Sequence, residues 1–283
     1  MTGFSHDYWD SPLFVSEQDG HDGSTHPILQ DEVAIVTGGG KGIGRGISLR
    51  LAAAGAAIVI VGSGNMDMAH ATAEEIRARG GRAEAVQADL SLAESPQKVM
   101  DFTIARFGRL DILVNNAAYQ PNLDIDEYTW DEFDRVLSIN LYSQLRMISL
   151  ALPYLRQSPN PRIINVGSVH CKRPTGFDVA YSTSKGGVLM LTREAAAELQ
   201  GTGITVNCIL PGGTNIEFKS RNALSLKEDK QKSLRIVRER TGFHRAVPGV
   251  PADTGNLCVY LASRGAHHVN GCAIRTDGGA IFL

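Results

Sequence analysis

The chain has 283 residues, 43% of them hydrophobic and 20% charged, with a formal net charge of −2. That length and apolar content suit one large α/β domain, and a near-neutral charge without any strongly basic stretch argues against a nucleic-acid or anionic-membrane partner. No apolar run approaches the length of a membrane span.

Residues 1–30 stand apart. They hold Asp7, Asp10, Glu17, Asp19 and Asp22 and no Lys or Arg, a charge of −5 against −2 for the whole, which leaves +3 on the remainder. A signal peptide needs a basic start and an apolar middle, and this stretch has neither. It reads as a mobile acidic extension, or as an arm whose Phe4, Tyr8, Trp9 and Phe14 pack on a neighbouring subunit. His21 and His26, without further ligands, do not make a metal site.

From residue 31 onward, short β-branched runs alternate with helix-like segments. The runs are "VAIVT" (33–37), "AIVIV" (57–61), "DILVN" (111–115), "RIINVG" (162–167), "ITVNCI" (204–209) and "GCAIRT" (271–276), with a weaker one at "RAEAVQA" (82–88). Helices are expected over 43–54, 66–79, 94–107, 131–157, 181–200 and 252–263. The runs are nearly all apolar, as strands are when both faces of a parallel sheet are covered. The pattern predicts βαβ units in one doubly wound parallel sheet of about seven strands, helices on both faces, over 31–283. The stretch 212–250, polar and rich in Lys and Arg, breaks the rhythm and reads as a helical insertion over the substrate site. Cys171, Cys208, Cys258 and Cys272 form no CxxC pair, so they read as reduced, mostly buried thiols of a cytoplasmic protein.

"TGGGKGIG" follows the first strand and opens the first helix. Gly38, Gly42 and Gly44 permit φ > 0 and close approach of a pyrophosphate, while the helix N-terminus supplies N–H donors. Ile47 and Leu51 anchor that helix to the sheet, and Arg45 and Arg50 are free to point outward. A P-loop would need Ser or Thr after "GK", where Gly42 stands, and a nucleophile elbow would need glycines where Val166 and His170 flank Ser168.

"YSTSK" places Tyr181 and Lys185 one helical turn apart on one face. A phenol titrates near pH ~10, and an ammonium beside it favours the phenolate, so the pair is suited to move a proton to or from an alcohol oxygen near neutral pH.

The glycine turn and this pair resemble the short-chain dehydrogenase/reductase family over roughly residues 30–283, which implies a Rossmann-type fold. "NNAA" (115–118) resembles the family's NNAG, with Ala118 in place of glycine. "PGG" (211–213) resembles its PG turn beside the nicotinamide, and "DGG" (277–279) its C-terminal signature. The resemblance implies a catalytic tetrad of Asn140, Ser168, Tyr181 and Lys185. The serine hydrogen-bonds the reacting oxygen, the asparagine holds a water linked to the lysine, and the lysine also holds the ribose. It implies a cofactor site of Gly38, Lys41, Gly42, Ile43, Gly44, Ser63, Asp89, Leu90, Asn116, Ala117, Pro211, Gly212 and Thr214, with Tyr181 and Lys185. Asp89 would meet the adenine. "VGSGN" offers no acid after the second strand, where an NAD-specific fold carries one. Lys41, Ser63 and Asn65 are placed to receive a 2′-phosphate, so NADP is favoured over NAD.

The substrate pocket is expected from His170, Phe177, Asp178, Asn215, Phe218 and His244, a mixture suited to a sugar, polyol or cyclic hydroxyketone. The expected activity is interconversion of a secondary alcohol and a ketone by hydride transfer. Alternatives are a 3-oxoacyl-type carbonyl reductase, a non-catalytic dinucleotide sensor, and a lyase or epimerase. Val188, Leu189, Met190 and Leu191 exceed what one sheet-facing stripe needs, so a homotetramer, or a homodimer, through 131–157 and 181–200 is expected.

Overall fold

The computed structural model describes residues 28–174, 176, 178–216 and 248–279. Seven strands, β1 (Val33–Thr37), β2 (Ala57–Gly62), β3 (Ala83–Gln87), β4 (Ile112–Asn115), β5 (Arg162–Val166), β6 (Thr205–Pro211) and β7 (Ala273–Thr276), form one sheet in the order β3-β2-β1-β4-β5-β6-β7. Every neighbouring pair is parallel. The helices are α1 (Gly42–Ala53), α2 (Asp67–Ala78), α3 (Ser95–Phe107), α4 (Trp130–Leu137), α5 (Ser143–Leu155), α6 (Val179–Glu198) and α7 (Pro251–Ala262).

Successive strand residues point to opposite faces, and both faces are apolar. Ala34, Val36, Ile58, Ile60, Ile112, Val114 and Ile164 pack with Ile47 and Leu51 of α1, Ile76 of α2 and Cys258 and Leu261 of α7. Ile35, Val59, Val61, Leu113, Ile163 and Val206 pack with Val99 and Met100 of α3, Met147 and Ala151 of α5 and Ala196 of α6. The order reverses between β1 and β4, and this switch point opens a crevice at the carboxyl ends of the strands.

Helices α1 and α7 cross at glycine. A Cβ on Gly46 would lie 2.5 Å from the Pro251 carbonyl, and one on Gly255 would lie 2.7 Å from the Gly46 carbonyl. Arg50 does not point outward: it is 8% exposed, because Gly255 brings α7 down onto its aliphatic stem.

The expected helix 131–157 is three pieces, since a π-helical turn, Ser138–Tyr142, separates α4 from α5. Of the four apolar residues expected to make a second face, Val188 and Leu189 are buried within the subunit and Leu191 is half-buried against its core, so Met190 alone is exposed. The thiols are all free. Cys208 and Cys258 are buried, whereas Cys171 is half-buried and Cys272 exposed.

The acidic extension and its histidines lie outside the described residues up to 27. Its last three residues already belong to the domain: Leu29 is fully buried and its amide donates to the Ala54 carbonyl at 2.8 Å. Most of the 212–250 insertion also lies outside. Its two ends are joined, because Thr214 bridges Gly249 and the Asn215 amide donates to the Gly249 carbonyl at 2.7 Å.

At the amino ends of the strands sits a buried polar cluster. Asp111, fully buried, accepts from the Val33 amide (2.8 Å), Arg109 (2.6 and 2.8 Å) and the Ser158 hydroxyl (2.5 Å). Glu32, 5% exposed, accepts from Asn160 Nδ2 at 2.7 Å through Oε1, while its Oε2 is buried without a hydrogen-bond partner. Burial pushes the Glu32 carboxyl up to about 7.

Candidate active site

The glycine turn runs from β1 into α1. Gly38 (φ 64°) and Gly42 (φ 51°) take the left-handed conformation. Gly44 is needed for space: a Cβ there would sit 2.1 Å from the Gly38 carbonyl. The α1 N-cap, Lys41, is extended and exposed and its side chain makes no capping bond to the first turn. Thr37 fixes the turn to the neighbouring strand, its Oγ1 accepting from the Asn116 and Ala117 amides at 2.9 Å each. Asn116 Nδ2 returns a bond to the Thr37 carbonyl at 2.8 Å. Sequence reasoning passed over Thr37, although a hydroxyl at a strand end beside a glycine turn is a signal for such a clamp.

At the end of β2, Ser63 is exposed and no acid follows Gly62 directly. Asn65 is engaged by Asp67: its Oδ1 accepts from the Asp67 amide at 2.7 Å and its Nδ2 donates to that carboxylate at 2.9 Å. Asn65 is therefore a brace for α2 and brings an acid near this edge. Asp89 is exposed, and hydrogen bonds from Ser91 hold its carboxyl below the usual range, while Leu90 beside it is buried. On the other side of the crevice Pro211 ends β6, and Thr214 Oγ1 donates to the Gly212 carbonyl at 3.2 Å.

The tetrad residues converge at the carboxyl ends of β4 and β5. Ser168, 5% exposed, follows β5 near the Tyr181 phenol, and its hydroxyl accepts from the His170 amide at 3.2 Å. Lys185, 1% exposed, donates from Nζ to the Val166 carbonyl at 2.8 Å and lies 5.7 Å from the Tyr181 ring centre. Asn140 lies in the π turn, an irregularity common at functional sites. Its Nδ2 donates to Ser184 Oγ and to the Tyr119 carbonyl, both at 3.0 Å, and its Oδ1 accepts from the Tyr119 amide at 2.7 Å. It thus joins α6 to the β4–α4 loop, a structural task that sequence reasoning did not assign to it.

The electrostatics differ from expectation. Burial pushes the Tyr181 phenol above its ordinary value; the Ser168 hydrogen bond opposes this, and the Asp178 charge adds to it. Burial also pulls the Lys185 ammonium down to about 8. Loss of water around both groups thus outweighs the attraction between an ammonium and a phenolate, so Lys185 alone does not bring the phenol to neutral pH.

Of the expected substrate residues, His170 is half-buried with Nδ1 3.0 Å from the Arg173 carbonyl, and burial lowers its basicity. Asp178 belongs to the scaffold instead of the pocket: it is 3% exposed and bonded to Tyr181, Asn122 and Tyr128. Asn215 stands at the root of the insertion, its amide donating to Gly249. Phe177, Phe218 and His244 lie outside the described residues. Among the described residues no group of His, Cys, Asp or Glu is placed to hold a metal ion. No helix there is long and apolar enough to cross a membrane.

This geometry fits a dinucleotide: a glycine turn packed too tightly for a Cβ at residue 44, an α1 N-terminus whose N-cap side chain makes no capping bond, and a buried lysine with two ammonium donors left over. A family model described as short chain dehydrogenase matches residues 32–225. Glucose 1-dehydrogenase 2 of Bacillus subtilis (strain 168) is 31% identical over 253 residues, covering 89% of this chain and 95% of the relative. The 3-oxoacyl-acyl-carrier-protein reductase FabG of Staphylococcus aureus (strain Mu50 / ATCC 700699) is 32% identical over 246 residues, covering 87% and 96%. Among solved structures, a blue fluorescent protein from a metagenomic library in complex with NADPH superposes with a TM-score of 0.78 at 29% identity, covering 89% of this chain and 99% of the other.

Proposed function

The chain belongs to the short-chain dehydrogenase family of oxidoreductases, and from that premise we propose that it interconverts a secondary alcohol and a ketone with NADP, or with NAD, as hydride carrier. The observation that carries this reading is the meeting of Ser168, Tyr181 and Lys185 beside the glycine turn.

Gly38, Lys41, Gly42, Ile43 and Gly44 would hold the cofactor phosphates, Ser63, Asp89 and Leu90 the adenosine half, and Asn116, Ala117, Pro211, Gly212 and Thr214 the nicotinamide half. When bound, the cofactor supplies or accepts the hydride at the carbon bearing the substrate oxygen. Ser168 hydrogen-bonds that oxygen, and Tyr181 transfers the proton to or from it. Lys185, mostly charged below about pH 8, would hold the ribose hydroxyls and support negative charge on the phenol oxygen. Asn140 keeps α6 and the β4–α4 loop in register. His170 and Asn215, with Phe177 and His244, are assigned to the substrate side from sequence.

NADP is favoured because no carboxylate follows Gly62 directly to receive the ribose hydroxyls and the nearest acid, Asp67, is engaged by Asn65, while Ser63 is exposed at that edge and Lys41 is exposed in the glycine turn. The likeness to a glucose dehydrogenase favours a hydroxylated substrate, a sugar or polyol; the likeness to FabG favours a 3-oxoacyl carbonyl as the second reading. Assembly into a homotetramer, or a homodimer, has support from exposed Tyr142, Leu145 and Met190, and a cytoplasmic setting from the free thiols.

The test is a panel of sugars, polyols, hydroxyketones and 3-oxoacyl thioesters, followed by absorbance of the reduced cofactor, with dissociation constants for NADP and NAD. Turnover of a polyol or sugar with tighter NADP binding is expected. Tighter NAD binding overturns the cofactor preference, and binding without turnover across the panel replaces the enzyme by a dinucleotide sensor.

A further inference from the structure

Asp178 sits immediately before α6 with a carboxylate that is 3% exposed. Its Oδ1 accepts from the Tyr181 amide at 3.0 Å and from the Tyr128 hydroxyl at 2.5 Å. Its Oδ2 accepts from the Asn122 amide at 3.0 Å. Tyr181 belongs to α6, whereas Asn122 and Tyr128 belong to the loop between β4 and α4. Asn122 is left-handed (φ 60°), a conformation that asparagine tolerates better than most residues, and this turns its amide onto the carboxylate. The same loop is held at Tyr119 by Asn140, and the Tyr119 hydroxyl donates to Glu132 at 2.6 Å.

We propose that Asp178 is a positioning residue for Tyr181: it clamps the backbone that carries the phenol onto the β4–α4 loop and puts a negative charge near the oxygen that transfers the proton. The role rests on the reading of Tyr181 as the proton-transfer group. A helix cap alone would need only the Tyr181 amide bond. The bonds to Asn122 and Tyr128 go further and tie the start of α6 to the β4–α4 loop. The charge acts on each neighbour in the direction expected of a carboxylate. It raises the Tyr181, Tyr119 and Tyr128 phenols and favours the protonated form of His170. The other groups around these are Ser168 and Cys171 from the segment after β5, Glu132 and Arg135 from α4, and Lys185 from α6.

Asp178→Asn keeps the shape and removes the charge; its amide accepts toward only one of the two backbone N–H groups, because Nδ2 donates. Phenolate absorbance is titrated in the parent protein, in Asp178→Asn and in Tyr128→Phe, each against the same background carrying Tyr181→Phe. The difference isolates Tyr181 without any need for turnover. In Asp178→Asn the Tyr181 pKa is expected to fall by about one pH unit. In Tyr128→Phe, where the charge stays and loses a donor, it is expected to rise. With a substrate in hand, Asp178→Asn lowers kcat about tenfold, moves the Tyr181 limb of the pH profile down by the same step, and leaves cofactor affinity unchanged. An unmoved phenol titration in Tyr128→Phe and in any folded Asp178→Asn protein overturns the proposal, and so does a loss of kcat that only tracks a loss of stability. A shifted titration in a protein that turns over no alcohol or carbonyl keeps the clamp and its charge but removes the oxidoreductase reading.

Discussion

At the amino ends of the strands Asp111 accepts from Val33, Arg109 and Ser158, whereas at the carboxyl ends Lys185 donates to the Val166 carbonyl alone among the described residues. Both side chains are buried. The carboxylate at one end has nearly all its capacity used by the protein, so its burial stabilises the sheet. The ammonium at the other end has three donors and uses one, so its burial destabilises the fold and leaves two donors for something else. Tyr181, desolvated and bonded to Ser168, behaves as Lys185 does. Saturation thus separates Asp111, whose capacity the protein itself uses, from Lys185, which keeps donors to spare, although burial is alike for both.

The largest expected effect tests the carboxyl end. Tyr181→Phe removes one hydroxyl, and kcat falls by at least about 10³ while cofactor affinity and melting temperature stay within error. A variant that also melts early would show that the phenol hydroxyl is structural, and the contrast between the ends would fail. Asp111→Ala should do the reverse. It strands the Val33 amide and Ser158, so stability drops by roughly 2–4 kcal/mol in denaturant unfolding, with kcat per folded molecule unchanged.

Glu32 sharpens the comparison because it is the least satisfied group at the amino end. Its carboxyl is raised to about 7, above the ordinary value, so the folded state holds its proton more tightly than the unfolded chain does. The resulting penalty is absent below the unfolded pKa, grows between about pH 4.5 and pH 7, and is complete above pH 7. Glu32→Gln should therefore stabilise the protein by about 2 kcal/mol at pH 8 and by nothing at pH 4.5. Equal stability of the two proteins at both pH values would mean that the orphaned oxygen is solvated after all.

The sheet was legible in the sequence because its strands are short, apolar and punctuated by glycine. "VAIVT" matches β1 residue for residue, and even the weak run at 82–88 contains β3. The glycine turn was legible because motif spacing names both residue type and place, and the same spacing puts Asn140, Ser168, Tyr181 and Lys185 near one another, the roles assigned to them remaining a proposal. What stayed hidden depends on long-range partners. Nothing local at Ser138–Tyr142 marks a π turn, and the reason for it lies in bonds from Asn140 to Tyr119 and Ser184. Arg50 reads as a surface residue until Gly255, from the far end of the chain, descends on it. Asp178 looks like a pocket acid in "GFDVAY" because its partners Asn122 and Tyr128 stand some fifty residues earlier. Glu32 and Asp111 drew no attention, since a charge flanking a strand ordinarily meets water. The phenol pKa was misjudged for a related reason: helical spacing gives the distance to an ammonium but not the dryness of the pocket.

The glycine crossing of α1 and α7 has a consequence for biosynthesis. One apolar face of β1 is covered by α1, which follows it directly, and by α7, which comes after every strand but β7. Until α7 emerges from the ribosome, Ile47 and Leu51 border an unfilled hollow, and the nascent chain exposes a sticky surface. That face is therefore completed only when α7 docks, and a chain cut before α7 is material for chaperones and proteases.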